Sequence, residues 1–167
     1  MLTCPRRLLV WLARDTWQHA ARTALAAGGS LAVARFLGLP EAYWAPITAI
    51  VVTQSTLMAS WMISRQRLIG TALGAILGAL CSRPLAQGAL AFTAVIVLIG
   101  VICGRLGLDQ KAYRFAGITY AIIVLMSRSQ AAWVVGLHRF VEVSLGITIS
   151  LVVSALWQDD QHRQRQG

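Results

Sequence analysis

Apolar residues gather along this chain into six stretches, at about 20–38, 43–60, 68–84, 87–104, 113–129 and 134–157, parted by short polar runs. Each is close to the ~20 residues an α-helix needs to cross a ~30 Å hydrocarbon core. The pattern predicts an all-α, polytopic membrane protein of six transmembrane helices, with nothing left over for a second, soluble domain. Residues 1–19 hold only a six-residue apolar run, Leu8 to Ala13, with no small-residue cleavage site after it. That is short for a span and a poor signal peptide. A basic interfacial helix carrying Trp11 and Trp17 fits better. Residues 158–167 read as a polar tail.

The stretches repeat. Residues 49–82 reappear without a gap as 121–154: Ala49 meets Ala121, Ile50 meets Ile122, Trp61 meets Trp133, Arg67 meets Arg139, Gly74 meets Gly146 and Ser82 meets Ser154. A looser echo links Leu37-Gly38-Leu39 and Tyr43 to Leu106-Gly107-Leu108 and Tyr113. Each copy spans about three apolar stretches. An odd number of spans per copy turns the second upside down, which predicts an inverted 3+3 repeat with its working site where the halves meet.

Composition agrees. The chain is 57% hydrophobic and 13% charged, with mean hydropathy +0.64; soluble domains carry roughly 25% charged residues. The net charge of +9 has no basic low-complexity tail behind it, so nucleic acid is a poor partner and an anionic lipid face a better one. With the N-terminus in the cytoplasm, Arg6, Arg7, Arg14, Arg22, Arg65, Arg67, Arg105, Lys111, Arg114, Arg163 and Arg165 fall inside. Arg35, Arg83, Arg128 and Arg139 fall outside, an asymmetry that predicts both termini cytoplasmic in a cell membrane. Arg67 then lies at the inner face and Arg139 at the outer. Cys4, Cys81 and Cys103 match no metal-ligand spacing, and disulfides are not expected.

Small residues four apart mark packing seams. Gly70, Gly74, Gly78 and Ser82 line one stripe, Gly146, Ser150 and Ser154 its counterpart, and Ala20, Ala24, Gly28 and Ala32 a third. Such stripes let helix backbones approach closely in lipid, either between the halves or in a homodimer.

Polar residues inside the stretches are the candidates for chemistry. Glu142 takes the repeat position of Gly70 and lies within one turn of Arg139 and His138, so the three can share a face. Ionisable groups inside a span mark a pathway, a proton relay or a pair by default. Arg139 with Glu142 is either a structural pair or a proton-coupled anion site; a later start to the sixth span would leave His138 and Arg139 among headgroups. Thr48, Gln54 and Ser55 need internal partners or line a wet path, with Thr119 and Tyr120 at comparable depth. Tyr43 and Trp44 suit an aromatic belt. Arg35 can snorkel. No metal spacing, nucleophile elbow, P-loop or paired carboxylates occur within a span, so an enzyme is not expected, nor a cofactor or metal.

Tyr43-Trp44-Ala45-Pro46-Ile47-Thr48-Ala49-Ile50-Val51-Val52, then Gln54, then Arg67-x-x-Gly70-Thr71-x-x-Gly74, resembles the membrane domain of the fusaric acid resistance (FUSC-like) family. This integral membrane bound transporter group is related to aromatic acid exporters and, more distantly, to aluminium-activated malate transporters. The resemblance is strongest over 43–80 and extends more weakly to 157. It implies a six-helix unit, dimeric or duplicated, that moves organic anions such as aromatic carboxylates. It marks Trp44, Pro46, Arg67, Gly70, Thr71 and Gly74 as family-typical, though many relatives carry two membrane domains or a large soluble domain that this chain lacks.

Together these readings predict an exporter of small organic anions, partnered by the bilayer and by a second copy. Arg67 and Arg139, with Thr48, Gln54 and Tyr120, are the expected substrate contacts. Glu142 and His138 are the proton-coupling or pairing candidates, and Gly70, Gly74, Gly78, Gly146 and Ser150 the packing residues. A passive anion channel, or a non-transporting membrane subunit, would use the same residues differently.

Overall fold

The computed structural model describes residues 6–81, 88–126 and 131–166, with side chains described from 16 to 157. Cys4, Ser82, Arg83 and Arg128, and the side chains of Trp11, Arg14, Arg163 and Arg165, lie outside that description. The described residues form six α-helices: α1 (Arg6–Phe36), α2 (Trp44–Val52), α3 (Leu57–Leu80), α4 (Ala89–Arg105), α5 (Gln110–Met126) and α6 (Ala132–Gln166). The class is all-α, as the apolar pattern predicts.

Crossing a bilayer by length and apolarity is a narrower property. Among the described residues one helix has it, over Ala132–Trp157, while Ala89–Arg105 is apolar but short. The second predicted span departs most. It is not one helix over 43–60: α2 has nine residues, about 13 Å at 1.5 Å per residue. The chain then turns extended at Thr53 and restarts as α3 from Leu57, eleven residues before the predicted third span. At the N-terminal end α1 runs unbroken from Arg6, so residues 6–19 continue directly into the first predicted span.

Both ends of α2 have local causes. Pro46 lies in its first turn, where the missing N–H is not needed. A helix continued upstream would drive the proline ring against the carbonyl of Ala42, four residues back. The corresponding place in α5 holds Gly117, and α5 extends upstream to Gln110. At the other end the freed backbone groups find partners. Thr53 Oγ1 donates to the Ala49 carbonyl (2.7 Å) and meets Ser150 Oγ (2.8 Å), and the Gln54 N–H donates to Ser60 Oγ (2.9 Å). Thr56 caps α3 by accepting from the Ala59 N–H. Arg22 of α1 donates to the carbonyls of Gln54 and Ser55. In an apolar setting a broken helix persists only where its freed groups are satisfied in this way.

Glycine seams set the packing. A Cβ on Gly70 or Gly74 would strike the carbonyls of Ala112 and Ala116, and one on Gly78 would lie 2.9 Å from Ile123. α3 and α5 therefore run parallel in close contact. α6 and α2 do the same: a Cβ on Gly146 would strike the Ala45 carbonyl and lie 2.8 Å from Thr48 Cβ. The match is residue for residue, since a Cβ on Gly74 would also lie 2.8 Å from Thr119 Cβ. Ala45-Pro46-Ile47-Thr48 thus stands opposite Gly146 as Ala116-Gly117-Ile118-Thr119 stands opposite Gly74. This corrects the gapless register. The offset of 72 holds between α3 and α6, as for Gly74 and Gly146, but between α2 and α5 it is 71, as for Ala45 and Ala116. One extra residue lies between Thr119 and Gly146.

The stripes of α3 and α6 are thus spent within the chain, whereas the predicted third stripe, Ala20, Ala24, Gly28 and Ala32, lies exposed along α1 and packs against no other helix among the described residues. α3 and α6 cross antiparallel at the centre, where Gly136 comes to within van der Waals reach of Ala75. α4 packs antiparallel on α5, with Phe92 stacked on Tyr120 (5.5 Å) and Gly100 against Tyr113. The turns after α1 and α4 match too. Gly38 (φ 66°) and Gly107 (φ 64°) adopt left-handed backbone, and the following leucines donate to Ala34 and Cys103 carbonyls five residues back.

Candidate functional site

Where α3 and α6 cross between α2 and α5, a small cavity of about 20 Å³ is lined by Trp44, Arg67, Thr71, Phe115, Thr119 and Arg139, together with the apolar Ile118, Ile122 and Val143. It has room for about one water. The two arginines that the repeat pairs, predicted at opposite faces of the membrane, meet here. Arg67 is 9% exposed and Arg139 is 3% exposed.

Each arginine lies over an aromatic ring from the other half. The Arg67 guanidinium carbon is 4.9 Å from the Phe115 centroid, and that of Arg139 is 3.3 Å from the Trp44 centroid. At the offset of 71, Trp44 and Phe115 are counterparts. A ring face attracts a cation through its quadrupole, and more strongly where water is excluded. Arg67 also donates from Nε (3.3 Å) and Nη2 (3.1 Å) to Thr48 Oγ1.

The acids sit on one side only. Arg139 Nε is 3.9 Å from Glu41 Oε2, which also accepts from Trp44 Nε1 at 2.9 Å. Glu142, fully buried, accepts the Glu41 backbone N–H on Oε1 at 3.1 Å. The ion-pair partner of Arg139 is therefore Glu41, and Glu142 acts through the backbone of that residue. Arg139 Nε and Nη2 and Glu142 Oε2 have no hydrogen-bond partner among the described residues.

Of the predicted contacts, Thr48 is a direct partner of Arg67, and Arg67 and Arg139 line the cavity. Gln54 does not. Its backbone carbonyl accepts from Arg22 and its side chain donates to the Val51 carbonyl. Tyr120 is buried away from the cavity among Ile99, Cys103, Ala116 and Val124, packed on Phe92. His138 is half-buried and is not part of the lining. Gly146 serves the α2–α6 seam and Ser150 bonds Thr53.

Three residues escape a reading of the sequence. Glu41 lies in a turn 101 positions before Glu142 and nothing local marks it. Phe115 becomes visible once the Ala-x-Ile-Thr tetrads are aligned, since it precedes the second as Trp44 precedes the first. Arg22 reads as one more cytoplasmic charge, yet it is 5% exposed and holds the break after α2.

An all-helical bundle with arginines sealed at its centre, and large apolar side chains such as Phe36, Leu80, Leu90 and Trp133 exposed outside, is the class that fold and site define. The chain belongs to the fusaric acid resistance protein-like family, whose model matches residues 25–153. It is 32% identical over 124 residues to a Mycobacterium tuberculosis protein named as a candidate arylamide transporter, covering 70% of this chain and 34% of that one. Inner membrane protein YccS of Escherichia coli is 27% identical over 150 residues, 88% of this chain and 20% of the relative. Inner membrane protein YeeA of the same organism is 29% identical over 149 residues, 83% and 40%. The chain thus spans between a fifth and two fifths of these relatives' lengths. No solved structure matches it.

Proposed function

We propose that this chain is a membrane-embedded transport unit that exports small organic anions, aromatic carboxylates among them, across the cell membrane. The observation that carries the reading is the convergence of Arg67 and Arg139 on one small cavity walled by Phe115 and Trp44. A buried guanidinium without a full counter-charge attracts an anion, and ring faces beside it suit an aromatic body. The relatives support the setting, since two are named as inner membrane proteins and one as a candidate transporter.

The unit is read as an inverted repeat of three helices plus three, with both termini cytoplasmic. Support comes from the matched contacts of Gly74 and Gly146, the matched arginine–ring pairs, and the parallel running of α3 with α5 and of α6 with α2. A site between such halves, beside a discontinuous helix, is the common arrangement in secondary transporters. The cavity of about 20 Å³ favours a carrier that opens in turn to each side over a standing channel.

The test is flux in liposomes carrying the purified chain, with a panel of aromatic carboxylates, with and without a proton gradient. Uptake should saturate and fall at least tenfold in Arg67→Gln. Uptake that does not saturate, or that is indifferent to Arg67→Gln, defeats the reading. Proton coupling through Glu142 is the finer part: Glu142→Gln should remove the response to the gradient while flux down a substrate gradient persists. A variant that keeps the full response shows that the coupling lies elsewhere.

A further inference from the structure

The two halves of the cavity are alike in shape and unlike in charge. Arg67 lies against Phe115 and donates to the neutral Thr48 hydroxyl; no carboxylate stands within ion-pair distance of it among the described residues. Arg139 lies against Trp44 with Glu41 at 3.9 Å, and Glu142 holds the backbone of Glu41 from the next turn of α6. The difference is built into the fold. Where the second half places Glu142 against Glu41, the first places Gly70 against the Ala112 carbonyl, with no room for any side chain.

The geometry points to a ligand bearing a single carboxylate, received at Arg67, while Glu41 and Glu142 fill at Arg139 the place a second carboxylate would take. This inference rests on the reading of the cavity as the substrate site. The reason is electrostatic. A buried cation needs a counter-charge, and no described side chain brings one to Arg67, which leaves that place to a ligand. A second carboxylate reaching Arg139 would stand beside acids already there, and like charges in a poorly hydrated site repel strongly. Arg139 still carries Nε and Nη2 donors without hydrogen-bond partners. They suit a neutral acceptor on the far end of the ligand, a carbonyl or hydroxyl oxygen, that adds no charge.

The cavity as it stands holds about one water, so entry of an aromatic ring requires α2 and α5 to move from α3 and α6. Through that motion Glu142 stays within one turn of Arg139, because both are fixed on α6.

The experiment is calorimetric titration of the full chain in detergent with benzoate and with the dianions isophthalate and terephthalate, at a pH where all are ionised. Benzoate should bind at least tenfold more tightly than either dianion. Glu41→Gln should narrow that ratio tenfold or more, as should Glu142→Gln. Glu41 is the safer variant for folding, its side chain being 35% exposed. A wild-type preference for dianions overturns the inference, as does a ratio unmoved in folded Glu41→Gln, while the cavity reading stands if Arg67→Gln still abolishes benzoate binding. Benzoate binding that is absent, or unaffected by Arg67→Gln, overturns the cavity reading itself.

Discussion

Gly70 and Glu142 occupy the same place on their helices, and the chain uses that place in opposite ways. Gly70 lets α3 come down onto the Ala112 carbonyl, while Glu142 reaches the N–H of Glu41. Pro46 and Gly117 differ in step. Proline shortens α2 and leaves the Glu41 N–H outside any helix, where a buried acceptor must meet it, because an orphaned donor costs about 1–3 kcal/mol. Glycine at 117 lets α5 continue, and its backbone carbonyls then fill the room a side chain would need. The glycine seams yield a direct prediction. Gly74→Ala and Gly146→Ala each push a methyl into a backbone carbonyl, an overpacking cost of about 1–3 kcal/mol. Gly28→Ala meets nothing within 4 Å and should be neutral or gain helix stability. Thermal unfolding in detergent checks this: a Gly28→Ala loss as large as that of Gly74→Ala would show that the seams do not set stability.

Helix α2 is the least regular element and sits beside the cavity. Its end at Val52 is held from three sides: Ser150 on α6, Ser60 on α3 and Arg22 on α1. A cation at a helix C-terminus also meets the negative end of the helix dipole. Arg22 therefore substitutes for a missing turn of backbone hydrogen bonds. Arg22→Ala should destabilise the bundle by about 1.5–3 kcal/mol, the worth of hydrogen bonds from a charged donor to part-buried carbonyls, and Arg22→Lys should recover part of that. Hydrogen exchange of the amides of 44–60 reads the effect locally. Unchanged protection in Arg22→Ala would mean that the other two partners suffice.

For the whole molecule the decisive question is orientation. α1 and α2, then α2 and α3, reverse direction at each turn, and so do α4, α5 and α6. A bundle read as an inverted repeat then places the turns at Gly38 and Gly107 on opposite sides of the membrane. Leu37 and Leu106 stand beside these turns, and both are exposed. In a chain with Cys4, Cys81 and Cys103 replaced, Leu37→Cys should react with a membrane-impermeant maleimide on intact cells, and Leu106→Cys only after permeabilisation. Labelling of both from the same side excludes the inverted arrangement.

Much of this was open to a reader of the residues alone. Apolar runs with few charges commit the chain to helices, because unpaired backbone cannot be left in an apolar setting. Four-residue glycine spacing marks the seams of α3 and α6, and the recurrence of Arg67 as Arg139 singles out that pair, though at opposite faces and not together. Each of these rests on local spacing or on the repeat, and both survive in a linear string. What escaped depends on neighbours distant in the chain. The break at 53–56 is stable only because α1, α3 and α6 each supply a partner, so no property of 43–60 announces it. Glu41 acquires its meaning from Arg139 and Glu142, about a hundred residues on. Tyr120 looks as available as Thr119, but one step around α5 turns it from the cavity into the α4 interface. The sequence by itself determined the helical class, the glycine seams of α3 and α6 and the repeat-linked arginines, because periodicity and hydrophobicity act locally. Only the tertiary structure decided that those arginines share one cavity and that one of them alone is matched by acids, because a charge is defined by what packs around it.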